Sequence, residues 1–187
     1  MVSLKQILFA TSNKEKLREF REILKTNVVQ IELELLEPQA IDVDEVAREK
    51  AMQAYRVLRK PVLVEDTGLF IHAWNGFPGA LVKLVIKSAG LNGLLGMLGA
   101  QKDRYATAKT AIAFYDGKKV HVFSGSIDGV ISNEARGASG FGWDPIFIPK
   151  GYEKSFAELS GDSKNRISMR SIALLKLKEY MQEHDAD

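Results

Sequence analysis

Glu65 and Asp66 stand side by side after the apolar run Pro61–Val64 and before Thr67 and Gly68. Parallel strands of open α/β sheets present ligands at their carboxyl ends. Carboxylates placed there can hold Mg2+, a hard cation that takes oxygen ligands and keeps room for waters and phosphates. One of them can instead act as general base toward water. A surface turn in which Asp66 accepts from backbone N–H groups is the plain alternative. Glu37, at another expected strand end beside Pro38, is a further acid of interest. A second candidate is Thr11-Ser12-Asn13, between the apolar run Gln6–Ala10 and a helical stretch, Lys14–Lys25, with Leu17, Phe20, Ile23 and Leu24 on one face. Ser12 and Glu15 are in capping-box register, so the helix is expected to start there. A strand, a polar turn and a helix start make an anion site, with Thr11 and Asn13 as donors and Lys16 as a charge. A capped surface helix is the alternative.

The third candidate is the stretch from Gly137 to Arg170. Gly137, Gly140 and Gly142 allow tight turns and close approach, and Phe141 and Trp143 between them can stack on a planar ring. Asp144 and Pro145 end the loop, and Ile146–Ile148 reads as a short buried strand. Lys164, Arg166 and Arg170 follow near an expected helix start. An aromatic loop with nearby cations suits a purine base carrying an anionic tail. A surface loop over a buried Trp, followed by solvated charges, is the other reading.

The elements that must position these residues alternate in type. Val29–Leu35 alternates apolar and acidic residues, as a half-exposed strand does. Asp42 or Asp44 is expected to cap a helix over Glu45–Arg59, with Val46, Ala47, Ala51, Ala54, Tyr55 and Leu58 on one face. Asn75–Gly79 is loop-like, and Leu81–Ser88 and Leu91–Leu98 read as two helices broken at Gly90. Arg104–Phe114, Val120–Phe123 and Ser126–Ser132 read as strands, with Asp116-Gly117 as a tight hairpin. The middle is therefore an antiparallel meander between α/β ends. A last helix is expected over Ser168–Gln182, capped by Ser168. Arg170 falls in its first turn, where a cation opposes the helix dipole unless an anion is close.

The bulk properties narrow the classes. The 187 residues, 45% apolar, fit one domain with a sizeable core. A net charge of +2 argues against a polyanion-binding surface such as a nucleic-acid binder needs. There is no cysteine, so disulfides, thiolate metal sites and cysteine nucleophiles are excluded. His72, His121 and His184 are scattered without metal-ligand spacing. Neither G-x-G-x-x-G nor a Walker A sequence is present. The amino-terminal apolar run is too short for a signal peptide, and no stretch approaches a membrane span. The expectation is a soluble cytoplasmic protein with neither membrane nor nucleic acid as partner.

Taken together, these segments resemble the inosine triphosphate pyrophosphatase family along essentially the whole chain. The resemblance rests on Ala10-Thr11-Ser12-Asn13 with Lys16, Glu65–Leu69, Gly76–Gly79, Gly140–Phe147, Phe156–Leu159, and Lys164–Ser168 with Arg170. It implies an elongated, two-lobed α/β fold, with a long mixed sheet flanked by helices and a nucleotide-binding groove between the lobes. It implies one domain over residues 1–187, commonly in a homodimer. The activity implied is Mg2+-dependent hydrolysis of nonstandard purine nucleoside triphosphates (ITP, dITP, XTP) to the monophosphate and pyrophosphate. By the same resemblance Thr11, Ser12, Asn13, Lys14, Glu15 and Lys16 hold the triphosphate. Asp66 is catalytic base and metal ligand, and Glu37 is the second acidic ligand. Thr67 touches the nucleotide; Phe141, Gly142, Trp143 and Asp144 form the base-stacking loop; Lys164, Ser168 and Arg170 meet the base end.

One position departs from the family pattern: Met169 stands where the family has a histidine, and methionine offers no donor. Activity is expected to survive this, and selectivity for ITP over ATP or GTP is the property it bears on. Ala80–Lys87 also matches loosely, where the family often carries Tyr and Ser. The alternatives are a relative that hydrolyses other modified nucleotides and a nucleotide binder without catalysis.

Overall fold

The computed structural model describes residues 7–184. Gln6, expected to open the first strand, lies outside them. Among the described residues, alternating α and β segments form a mixed sheet of seven strands with five α-helices. In chain order these are β1 (Ile7–Ala10), α1 (Lys14–Leu24), β2 (Val28–Ile31), α2 (Val43–Leu58), β3 (Val62–Ile71), β4 (Pro78–Gly79) and α3 (Val82–Leu98). Then come β5 (Tyr105–Tyr115), β6 (Val120–Ile131), β7 (Phe147–Pro149), α4 (Gly161–Ile167) and α5 (Met169–His184). The strand order is β2-β1-β3-β5-β6-β7, with β4 on β3. β1 runs parallel to β2 and β3; every later pairing is antiparallel.

Side-chain alternation along the strands divides the core. On one face Phe9, Leu63 and Ile112 meet Leu17 and Phe20 of α1 and Ala173, Leu174 and Leu177 of α5. On the other, Val62, Val64, Ala111 and Ala113 meet Val43, Ala47, Ala51 and Ala54 of α2. A further cluster joins Leu69 and Ile71 to Leu94 and Leu98 of α3 and to Trp143, Phe147 and Phe156.

Several elements differ from the sequence expectation. The cap of α1 is Asn13, whose side chain accepts from the N–H groups of Glu15 and Lys16, not Ser12. Asp42 caps α2, which therefore starts at Val43. β2 stops at Ile31, so Glu32–Leu35 is not strand and Glu37 does not end one. β3 continues through Glu65, Asp66, Thr67 and Gly68, because β5 pairs with all of Val62–Ile71; the two carboxylates are mid-strand. The two strands expected within 120–132 are one, since β5 pairs without interruption from Val120 to Val130. Ile146 closes a 3-10 turn before β7. A short helix, α4, precedes the last one, and Ser168 lies between them. The break at Gly90 is present, with φ 71° interrupting α3. Among the described residues no helix is long and apolar enough to cross a membrane.

Candidate active site

β3 outruns its parallel neighbour. β1 meets it at Phe9–Leu63 and ends at Ala10, and β4 meets it at Leu69 and Phe70. Between these pairings residues 64–68 have a strand partner on the β5 side only, among the described residues. The resulting gap lets side chains from both faces of β3 reach one space. A pocket of about 340 Å³ lies there, lined by Ser12, Asn13, Lys16, Glu37, Lys50 and Asp66 toward one end, with Thr67, 3.4 Å from Arg170 Nη2, between the ends. Phe141, Gly142, Trp143, Asp144, Lys164, Met169 and Arg170 line the other, with Ala80, Val82, Lys83 and Ile86 from the start of α3.

Asp66 faces α2. Its Oδ1 is 3.2 Å from Lys50 Nζ, which is also 2.8 Å from Glu37 Oε1, so both acids address one ammonium. Asp66 Oδ2 is buried and has no hydrogen-bond partner among the described residues. Burial pushes the Asp66 carboxyl up, assisted by Glu37 and opposed by the charges of Lys16 and Lys50; the net direction is upward. Burial disfavours the charge on Lys50, but Asp66 and Glu37 more than offset it.

Glu65, the next residue on β3, points to the opposite face. It is buried beneath Arg170, whose Nε and Nη2 donate to its two oxygens at 2.8 and 2.9 Å. Lys16 Nζ lies 3.1 Å from the same carboxylate, and Thr67 Oγ1 donates to it at 2.6 Å. Burial alone would raise its pKa, but Arg170, Lys16 and these hydrogen bonds hold it well below the usual carboxylate range. The anion that Arg170 needs in the first turn of α5 is thus supplied by β3 and by Glu19 of α1, which Nη1 also contacts. Burial opposes the Glu19 charge too, and Arg170 and Lys164 overcome it.

The loop before β7 closes the far end. Asp144 accepts from the Phe141 N–H at 2.8 Å and from Lys164 Nζ at 2.7 Å. The half-exposed Phe141 ring has Lys164 Nζ 4.6 Å and Arg170 Cζ 5.4 Å from its centroid. Trp143 is buried, edge-on to Phe147 at 5.4 Å. Of the two aromatics, Phe141 is therefore the more exposed to the pocket.

The expected site residues mostly converge. Thr11, Lys14, Glu15 and Ser168 do not line the pocket. Thr11 Oγ1 accepts from the Asn13 N–H. Glu15 pairs outward with Arg18. Ser168 is buried, and its Oγ accepts from the Ser171 N–H at the start of α5. Lys50 and Glu19 escaped the sequence reading. Lys50 lies among Val43, Ala47 and Ala54 on the packed face of α2, where a lysine is an anomaly that spacing alone could have flagged. Glu19 carries no such signal beside Phe20. His72 bonds Thr107 and His121 bonds Asp116. Among the described residues no group of three His, Cys, Asp or Glu could hold a metal alone.

Comparison with known proteins places the chain in a family. The dITP/XTP pyrophosphatase of Saccharolobus solfataricus is 42% identical over 177 residues, covering 93% of this chain and 92% of that protein. The inosine triphosphate pyrophosphatase of Yarrowia lipolytica is 41% identical over 182 residues, covering 95% and 96%. The Staphylococcus aureus Ham1 protein superposes with a TM-score of 0.81 at 30% identity, over 96% of this chain and 99% of that one. Residues 7–180 match the Ham1 family, and the chain belongs to that family.

Proposed function

We propose that this protein hydrolyses deaminated purine nucleoside triphosphates (dITP, XTP and ITP) to the monophosphate and pyrophosphate. The observation that carries the reading is one pocket with acids and lysines at one end and an aromatic ring beside buried cations at the other. Relatives named for dITP/XTP and for inosine triphosphate support the substrate class.

Lys16, Lys50 and the Asn13-capped start of α1 favour a polyphosphate. Glu37 and Asp66 suit Mg2+, because the unpartnered Asp66 Oδ2 supplies a buried acceptor and both acids already converge on one cation. Bound there, Mg2+ would neutralise phosphate charge, the main requirement of such a displacement. Asp66, its pKa raised by burial, orients and deprotonates the attacking water. At the other end Phe141 stacks on the base, and the donors of Lys164 and Arg170 favour a 6-keto oxygen. A 6-amino group would set a donor against these donors, which is unfavourable in a buried site. Met169 lines the same end and offers no donor.

A single two-lobed domain over residues 1–187, acting as a cytoplasmic homodimer, belongs to the same reading and rests on the family resemblance. Nucleic acid and membrane are not among the proposed partners.

The test is pyrophosphate release with Mg2+ from dITP, XTP, ITP, GTP and ATP, with the monophosphate identified. Preference for the first three is expected. Equal rates on all five would overturn the selectivity, and no release from any would overturn the activity in favour of a nucleotide binder. Asp66→Asn is expected to lower turnover about 10²- to 10⁴-fold with nucleotide binding retained; unchanged turnover would remove Asp66 as base.

A further inference from the structure

Six charged side chains form an unbroken line from one end of the pocket to the other. Lys16 contacts Glu65 at 3.1 Å. Arg170 grips the same carboxylate at 2.8 and 2.9 Å and also contacts Glu19. Lys164 joins Glu19 at 3.1 Å to Asp144 at 2.7 Å. Asp144 in turn holds the Phe141 N–H at 2.8 Å. Cations and carboxylates alternate throughout. The Lys16 side chain is 17% exposed, and the other five are at 5% or below. Lys16 is thus the member of the line that a ligand can draw away from it.

Glu65 is where the line is crowded. Its Oε1 takes donors from Lys16 at 3.1 Å, Thr67 at 2.6 Å and Arg170 at 2.9 Å. A carboxylate oxygen offers about two acceptor directions, so three donors compete. A phosphate that takes Lys16 relieves this competition.

We propose that Glu65 is a positioning residue that couples the two ends of the pocket. When an anion draws Lys16 off, the Glu65 Oε1 that three donors share is left to Thr67 and Arg170, which strengthens its hold on the guanidinium. Through Glu19, Lys164 and Asp144, the same adjustment steadies the Phe141 amide and its loop. Anion binding at one end thereby prepares the other for a planar base. Assigning polyphosphate and base to these ends rests on the function proposed above. A merely structural ion pair would affect folding, yet it would give no dependence of base affinity on anion occupancy. Such a coupling must also be reciprocal between the two ligands.

The experiment is calorimetric titration of the wild-type protein with inosine, with and without saturating inorganic pyrophosphate and Mg2+. Inosine is expected to bind at least about fivefold tighter with pyrophosphate present, and pyrophosphate to gain the same factor from inosine. Glu65→Gln keeps the side-chain volume and loses the charge; Glu65→Asp keeps the charge but stops one methylene short of serving both cations. In either folded variant the factor should fall to about one. Equal inosine affinity with and without pyrophosphate in the wild type overturns the proposal, whether or not a variant folds. So does a factor that survives in a variant, because direct contact between the two ligands would then explain it. Hydrolysis of dITP by the same preparations separates the two claims. Turnover without coupling removes the role of Glu65 alone; coupling without turnover on any purine triphosphate removes the proposed activity alone.

Discussion

Replacing Arg170 with methionine tests the electrostatic account of the core. Arg170 is 1% exposed, and its guanidinium meets Glu65 twice and Glu19 once. Wild type balances three cations, Lys16, Lys164 and Arg170, against Glu19, Glu65 and Asp144. Arg170→Met keeps most of the volume and leaves two cations for three carboxylates. Breaking a buried pair by removing one partner costs about 3–5 kcal/mol, because the other charge stays buried without compensation. For a chain of this size that lowers Tm by roughly 6–20 °C.

The pH dependence has a definite sign. In wild type the folded-state pKa of Glu65 is depressed, so its contribution is present above the unfolded value, about 4.3, and is lost as pH falls through the folded value. Without Arg170, burial dominates and the Glu65 carboxyl moves up, so the folded variant gains from taking a proton as pH falls. The gap between wild type and variant should therefore narrow between about pH 7.5 and about pH 5. Urea unfolding followed by circular dichroism at both values measures it. A gap that is constant with pH, or below about 1 kcal/mol at the higher value, would refute the reasoning and make Arg170 a packing residue.

Two further outcomes follow from the packing. Met169→Leu conserves volume at a buried pocket position that offers no donor, so it should cost less than about 1.5 kcal/mol and leave the ratio of dITP to dATP turnover unchanged; a changed ratio would give Met169 a part in base recognition. Gly125→Ala should destabilise by about 1–3 kcal/mol, because its Cβ would meet the Met169 carbonyl and the Ala173 amide of α5; a neutral thermal melt would show that α5 can move off β6.

Much of the frame was readable from local chemistry. The Asp116-Gly117 turn joins β5 to β6 as the hairpin signal required, and Asp116 Oδ1 accepts from the Lys118 and Lys119 amides. Gly90 breaks α3 where two helices were expected. The misplacement of Arg170 against its helix dipole pointed to a nearby anion, and two are present. Element continuity was less readable. Polar and glycine residues at 65–68 and 124–129 look like strand ends, yet pairing with β5 carries both β3 and β6 through them.

By itself, then, the sequence determined the candidate residues for phosphate, base and acid chemistry, the family, and the order of strands and helices apart from β4, α4 and the continuity of β6. Those properties depend on side-chain type and on neighbours a few positions apart. Only the tertiary structure decided which way each acid points. Consecutive residues on a strand face opposite ways, so Asp66 meets Lys50 from α2 while Glu65 is sealed under Arg170, 105 residues away in the chain. Lys164 finds Glu19 across 145 residues. Contacts at such separations leave no local periodicity, and only the packing of α1, α2, α4 and α5 around the gap beside β3 brings them together.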